Sequence, residues 1–195
     1  MAASPFTRLL LIRHAVSTAT GQLAGRLDVP ANLPAAPALA QARAQLACLL
    51  PGPRNLFSSP ALRCRQTAEA LLPGAAITEA PRLWEQHFGT WEGMENTSLP
   101  DLGPMNRTAL AAHCPPDGES FLDVCRRVAP ALEEIAAGGP AIIVTHAGVI
   151  RTALGLALGD AASGLAFEIA PFSATMLTRS EEAWSIGFVN RALAP

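Results

Sequence analysis

Apolar and polar positions along the chain follow two alternating patterns. Short, dense apolar runs that end in a polar or charged residue read as buried parallel strands, and longer Ala/Leu-rich stretches spaced by Gln, Arg and Glu read as helices. Arg8-Leu-Leu-Leu-Ile-Arg13 is the first such run and Asn55-Leu-Phe-Ser58 the second. Ala141-Ile-Ile-Val-Thr145 is the clearest, and a shorter run covers Ala75 to Thr78. Helices are predicted from Pro37 to Leu50, stopped by Pro51-Gly52-Pro53, and from Ser59 to Leu72, stopped by Pro73-Gly74. In the second helix Ser59 is expected as the N-cap and Pro60 in the first helical position, where its missing N–H costs nothing. A third helix opens at Gly118-Glu-Ser120 and runs to Ala137, with Gly138-Gly139 stopping it and Pro130 predicting a kink or break inside it. A fourth spans Val149 to Leu158. Near the end, Ala174 to Thr178 and Trp184 to Val189 flank a polar Arg-Ser-Glu-Glu turn and read as a hairpin. Strands alternating with helices predict one α/β domain over residues 1–195, a three-layer sandwich with helices flanking a mostly parallel central sheet. Thr90 to Cys114 lacks a clear period, which makes the segment from about 90 to 117 the natural place for a surface lid.

Composition sharpens this picture. The chain of 195 residues is 50% hydrophobic and 15% charged, enough apolar material for one real core and too much for disorder. A net charge of -2 argues against non-specific binding to nucleic acid or an anionic membrane. All 14 basic residues are Arg, which excludes lysine Schiff-base chemistry and a P-loop lysine but leaves guanidinium forks for carboxylates or phosphates. Cys48, Cys64, Cys114 and Cys125 have neither C-x-x-C nor zinc-ribbon spacing and read as buried or free thiols of a reducing compartment. The apolar run Leu9 to Ile12 is too short for a secretory signal. Nothing later approaches the roughly 20 apolar residues of a membrane span, so the expected location is cytoplasmic.

Two histidines occupy equivalent places. His14 follows the strand ending at Arg13, and His146 follows the strand ending at Thr145. Ligands of open α/β sheets bind at the carboxyl ends of strands, so both histidines would face one crevice, with Arg13 beside them and Arg63 in the first turn of a helix. Two histidines and two arginines around one pocket suit a dianion, which means a phosphoryl group.

Five blocks in order carry a resemblance to a known family. Leu-Ile-Arg13-His14-Ala resembles the Arg-His-Gly signature of the histidine phosphatase superfamily, also called phosphoglycerate mutase-like. Ser58-Ser-Pro-Ala-Leu-Arg63-Cys-Arg-Gln-Thr67-Ala68 is similar to its second block and Leu83-Trp-Glu85-Gln-His-Phe88-Gly-Thr-Trp91-Glu92-Gly93 to its third. Gly118-Glu-Ser120 and Val144-Thr-His146-Ala-Gly148-Val-Ile-Arg151 complete the set.

The resemblance implies His14 as the nucleophile that forms a phosphohistidine, with its other ring nitrogen fixed by a hydrogen-bond acceptor such as a backbone carbonyl. Arg13 and Arg63 would hold the phosphoryl oxygens, and His146, if protonated, would add a donor. Glu85 matches the family's general acid, with Glu92 a rival read as structural. Ser17 and Gly25 fall where the family borders its substrate, and His87 and His113 read as surface or lid residues. No metal or cofactor is implied. Ala15 replaces the family's Gly, which is harmless unless the backbone there needs a positive φ.

Only Met94 to Asp117 separates the third and fourth blocks, a short lid that favours phosphatase over mutase. Gly25-Arg-Leu-Asp28-Val-Pro30 looks like the loop of α-ribazole phosphatases, so α-ribazole 5′-phosphate, an ester of cobalamin biosynthesis, is the expected small-molecule partner. The alternatives are a broad-specificity sugar or metabolite phosphatase, a phosphoglycerate mutase, a metal-dependent hydrolase using His14, Glu85 and His146, and a non-catalytic phosphate-binding regulator. The apolar hairpin would serve a homodimer or simply pack as an edge strand.

Overall fold

The computed structural model describes residues 6–194. Six strands, β1 (Thr7–Arg13), β2 (Asn55–Ser58), β3 (Thr78–Glu79), β4 (Ala141–Thr145), β5 (Ser173–Arg179) and β6 (Trp184–Ala192), form one sheet in the order β3-β2-β4-β1-β5-β6. The four from β3 to β1 pair in parallel, whereas β5 runs antiparallel to both β1 and β6. Five helices, α1 (Ala36–Leu49), α2 (Leu62–Leu71), α3 (Arg107–Ala112), α4 (Phe121–Ala137) and α5 (Ala147–Leu158), join them. The expected mostly parallel sheet flanked by helices is therefore present. Among the described residues no helix is long and apolar enough to cross a membrane.

The strand alternation explains the layers. Leu9 and Leu11 of β1, with Ala141 and Ile143 of β4, pack against α4 and α5 through Val124, Val128, Leu132, Val149 and Ile150. Leu10, Ile12, Ile142 and Val144 point the other way and meet Ala42 and Leu46 of α1 and Cys64, Ala68 and Leu71 of α2. Both faces of the central strands are covered, which is why they read as unbroken apolar runs. Leu9 to Ile12 have no exposed surface, and each such side chain contributes about 1.5–3 kcal/mol on burial. The central strands thus form a stiff platform for whatever sits at their ends.

Three sequence expectations are corrected. Ser59 does not cap α2, which begins at Leu62; the Leu62 amide is met instead by Asp28 Oδ1 at 2.7 Å, from a loop distant in sequence. The strand expected over Ala75 to Thr78 is the two-residue β3, because only Thr78 and Glu79 reach the β2 edge. The helix opened by Ser120 runs through Pro130 without a break. Pro130 lies on the exposed side, while Val124, Val128, Leu132 and Ile135 hold the helix from its buried side. Ser120 itself forms a full capping box with Asp123. Between Thr90 and Asp117 the chain makes 3-10 turns and the six-residue α3, with most residues exposed.

Candidate active site

The register of β1 against β4 builds the site. Arg13 pairs with Thr145, so His14 and His146 emerge together from the carboxyl edge of neighbouring parallel strands, and the His14 amide donates to the Thr145 carbonyl at 2.9 Å. Their ring centroids lie 5.2 Å apart in an edge-to-face arrangement. His146 is also the N-cap residue of α5.

Each ring has one assignable tautomer. His14 Nδ1 lies 2.6 Å from the Ala15 carbonyl, which can only accept, so Nδ1 carries the proton and the Nε2 lone pair is left bare. Arg63 Nε donates to that lone pair at 3.3 Å, a long and weak bond. His146 Nδ1 faces Arg63 Nη2 at 3.3 Å and so must accept, which places its proton on Nε2, 2.8 Å from Ser59 Oγ. Burial, with the Arg63 charge beside it, holds His146 neutral well below the ordinary histidine range. Burial likewise brings His14 down to about 3, opposed by the Ala15 hydrogen bond and assisted by Arg63 and Arg13. The added charge that a protonated His146 would bring is disfavoured by the burial of its ring. Water is excluded from it, and Arg63 already supplies the positive charge.

Arg63 is 1% exposed and makes no ion pair among the described residues. Its charge is met by three carbonyls instead: Nη1 donates to Leu27 at 2.9 Å, and Nη2 to Gly25 at 2.7 Å and Ala24 at 3.2 Å. Thr67, one turn along α2, accepts from the Ala15 amide at 3.0 Å and donates to the Arg63 carbonyl at 2.7 Å, tying α2 to the residue beside His14. Arg13 donates through Nη1 to the Ile169 carbonyl, while its buried Nε has no partner among the described residues. Burial lowers the Arg13 pKa, and nearby Glu85 opposes that shift. Ala15 is not among the residues with positive φ, so it fits where the family carries Gly.

Glu85 meets the start of α5. Its Oε2 accepts from the Gly148 amide at 3.2 Å and its Oε1 from the Gln86 amide at 3.1 Å. The segment carrying it is clamped by Arg127, which donates to the carbonyls of Arg82, Trp84 and Glu85 and pairs with Glu119. Burial alone would raise the Glu119 carboxyl, but hydrogen bonds from Arg127 and the His87 amide bring it below the ordinary range. Glu92 differs from Glu85 in kind. Both its oxygens are occupied by backbone amides, from Gly25, Arg26, Leu27 and Phe88 at 2.8 to 3.1 Å, so it has no oxygen to spare for a proton transfer.

Gly25 sits at the site's border, but its amide is spent on Glu92 and its carbonyl on Arg63. Ser17 lies in the loop past His14, half-buried, bridging to Ala31 through the backbone. His87 lines an open cleft of about 520 Å³ with Arg26, Trp84 and Glu119. The Trp84 ring stacks on His146, with centroids 6.2 Å apart, and the Arg26 guanidinium lies 5.5 Å from the Trp84 centroid. His113 stacks on Trp91, away from these groups. Ser59, Thr67, Arg127 and Glu119 were not singled out from the sequence as site residues, although the first two lie in the second block and Glu119 in the fourth. Among the described residues no three His, Cys, Asp or Glu side chains gather closely enough to hold a metal ion.

The sequence profile of the histidine phosphatase superfamily (branch 1) matches residues 9–192. A glucosyl-3-phosphoglycerate phosphatase of Mycolicibacterium vanbaalenii is 33% identical over 112 residues, half of each chain. A bifunctional protein of Mycobacterium tuberculosis is 37% identical over 93 residues, 45% of this chain. The matched stretch is 25% of that protein, so the chain spans a quarter to a half of these curated relatives. Among solved structures, a mycobacterial glucosyl-3-phosphoglycerate phosphatase is 25% identical with a TM-score of 0.78, over 96% of this chain and all of that one. The α-ribazole phosphatase of Shigella flexneri, 24% identical, shares the fold with a TM-score of 0.76 over 96% and 97% of the two chains.

Proposed function

Because the chain belongs to branch 1 of the histidine phosphatase superfamily, we propose that it hydrolyses a small phosphomonoester through a phosphohistidine on His14 Nε2. The observation that carries this reading is the tautomer: the Ala15 carbonyl holds the Nδ1 proton and turns a neutral Nε2 lone pair toward Arg63. Nε2 attacks phosphorus as the ester P–O bond breaks. Arg63 and Arg13, whose buried Nε has no partner among the described residues, take the phosphoryl oxygens, and neutral His146 adds its ring beside them. Protonated Glu85 gives its proton to the departing alkoxide. Its carboxylate then takes a proton from the water that attacks the phosphohistidine, releasing phosphate and restoring His14. Glu85 is placed for this by the α5 N-terminus and the Arg127 clamp.

For the alcohol half, the Gly25-Arg-Leu-Asp28-Val-Pro30 loop favours α-ribazole 5′-phosphate. A second reading, glucosyl-3-phosphoglycerate, is favoured by the polar cleft of Arg26, Trp84, His87 and Glu119, which suits a hydroxyl-rich alcohol with a carboxylate near Arg26. The test is phosphate release from both esters, in the presence of a chelator, by wild type and His14→Ala. Turnover by wild type alone supports the phosphohistidine route, and the faster ester identifies the alcohol. Equal turnover by His14→Ala, or loss of turnover in chelator, overturns the route.

A further inference from the structure

We infer that Glu92 is a positioning residue for the phosphoryl site, acting on Arg63 through the backbone of residues 24–27; this rests on the phosphatase reading above. The loop lies between two buried or half-buried charges that never touch. On one side its successive amides, Gly25 at 3.0 Å, Arg26 at 2.8 Å and Leu27 at 3.1 Å, converge on the Glu92 carboxylate. On the other, the carbonyls of Ala24, Gly25 and Leu27 converge on the Arg63 guanidinium. Neither Glu92 nor Arg63 has an ion-pair partner among the described residues. The Ala24–Gly25 and Gly25–Arg26 peptides each present their C=O to the cation and their N–H to the anion, while Leu27 bonds Glu92 through its own N–H and Arg63 through its own C=O, so the two charges support each other through the loop backbone rather than by contact.

The loop has little room to find another position. A Cβ on Gly25 would lie 1.9 Å from the Gln86 carbonyl and 2.7 Å from Glu92 Oε1, so only glycine permits this approach. The segment after Glu92 is laced to the segment before the loop, through Gly93 N–H to Leu23 at 2.8 Å, Leu23 N–H to Met94 at 2.9 Å and Asn96 N–H to Gly21 at 2.8 Å. The remaining Arg63 side-chain contacts are His14 Nε2 and His146 Nδ1. The carbonyl cradle therefore sets where the guanidinium points in the phosphoryl site, and Glu92 sets the cradle. Removing the carboxylate charge leaves three like-oriented amides without an anion, and the loop and Arg63 shift together.

The experiment is a double-mutant cycle on inorganic phosphate binding, followed by calorimetry, for wild type, Glu92→Gln, Arg63→Ala and the double variant, with thermal melts confirming that each folds. Glu92→Gln is expected to weaken phosphate about tenfold in the wild-type background and hardly at all once Arg63 is gone. A loss of equal size in both backgrounds, or no loss in the folded single variant, overturns the proposal. If Glu92→Gln does not fold, Glu92→Asp takes its place in the cycle. If Arg63→Ala binds phosphate too weakly to measure, ¹⁵N spectra of the His14 imidazole decide. The Nε2 resonance moves in Glu92→Gln if Arg63 has shifted, and an unchanged resonance overturns the proposal. Wild type that binds phosphate but turns over no ester sinks the phosphatase reading and leaves the positioning role standing.

Discussion

As the proposed nucleophile, His14 carries two requirements that oppose each other in water: it must be unprotonated at one nitrogen and rigidly oriented by the other. Burial meets the first, lowering its pKa to about 3, and the Ala15 carbonyl meets the second. The proposed nucleophile is therefore neutral across the whole neutral and mildly acidic range. Its pH dependence follows directly. After correction for the second ionisation of the monoester, near pKa 6, the rate constant kcat/KM is expected to show no acid limb near 6.5. A limb there that stays fixed when the ester is changed would mean that His14 or His146 protonates in the free enzyme. The same residues show how far sequence reading reaches. That Arg13, His14, Arg63 and His146 gather at one edge of the sheet was legible because each sits in a short contiguous block at a strand end or helix start. The neutral state of His146 was not, because it depends on complete burial between Trp84, Ser59 and Arg63, which are 62 to 87 positions away in the chain.

At the level of elements, the junction of β4 and α5 joins the two halves of the proposed chemistry. β4 delivers His146, and the first turn of α5 holds Glu85 through the Gly148 amide. A Cβ on Gly148 would lie 2.3 Å from Glu85 Oε1, the movable end of a side chain, so the fold can accept Gly148→Ala while the carboxylate cannot stay where it is. Alanine also suits a helix better than glycine by about 0.5–1 kcal/mol. Gly148→Ala should therefore melt no lower than wild type yet lose tenfold or more in kcat on alkyl phosphates, with a smaller loss on p-nitrophenyl phosphate, whose leaving group needs little protonation. Equal losses on both esters would remove Glu85 from the role of acid. The block His146-Ala-Gly148 was visible in the sequence, but its contact with Glu85 was not. The Asp28 cap on α2 was hidden in the same way, since a capping side chain supplied from another loop leaves no local signature. Ser59 had the right residue type in the right place for a cap, and its hydroxyl went to His146 instead.

For the whole molecule, a buried cationic and imidazole-rich site at the end of an otherwise apolar sheet affects stability. His14 and His146 are held neutral in the fold but would take up protons near pH 6.5 once unfolded. Above that pH both states are neutral at these rings and the histidines make no difference. As pH falls below it, the unfolded chain binds protons that the native state refuses, and stability declines, for His14 until its folded value of about 3 is reached. Each such histidine contributes a slope that rises toward about 1.4 kcal/mol per pH unit below its unfolded pKa, so the pair should remove about 2 kcal/mol between pH 6.5 and 5.5. The carboxyls of Glu119 and Glu133, which the fold holds below their ordinary range, act in the same direction but only at lower pH. Acid weakening should thus begin well before carboxylates titrate. Urea unfolding midpoints at pH 8, 7, 6 and 5 measure it, and His14→Gln should about halve the slope between 6 and 5. A profile flat over that interval would mean that both rings reach water and protonate within the native structure, removing the premise of a neutral, pre-oriented nucleophile.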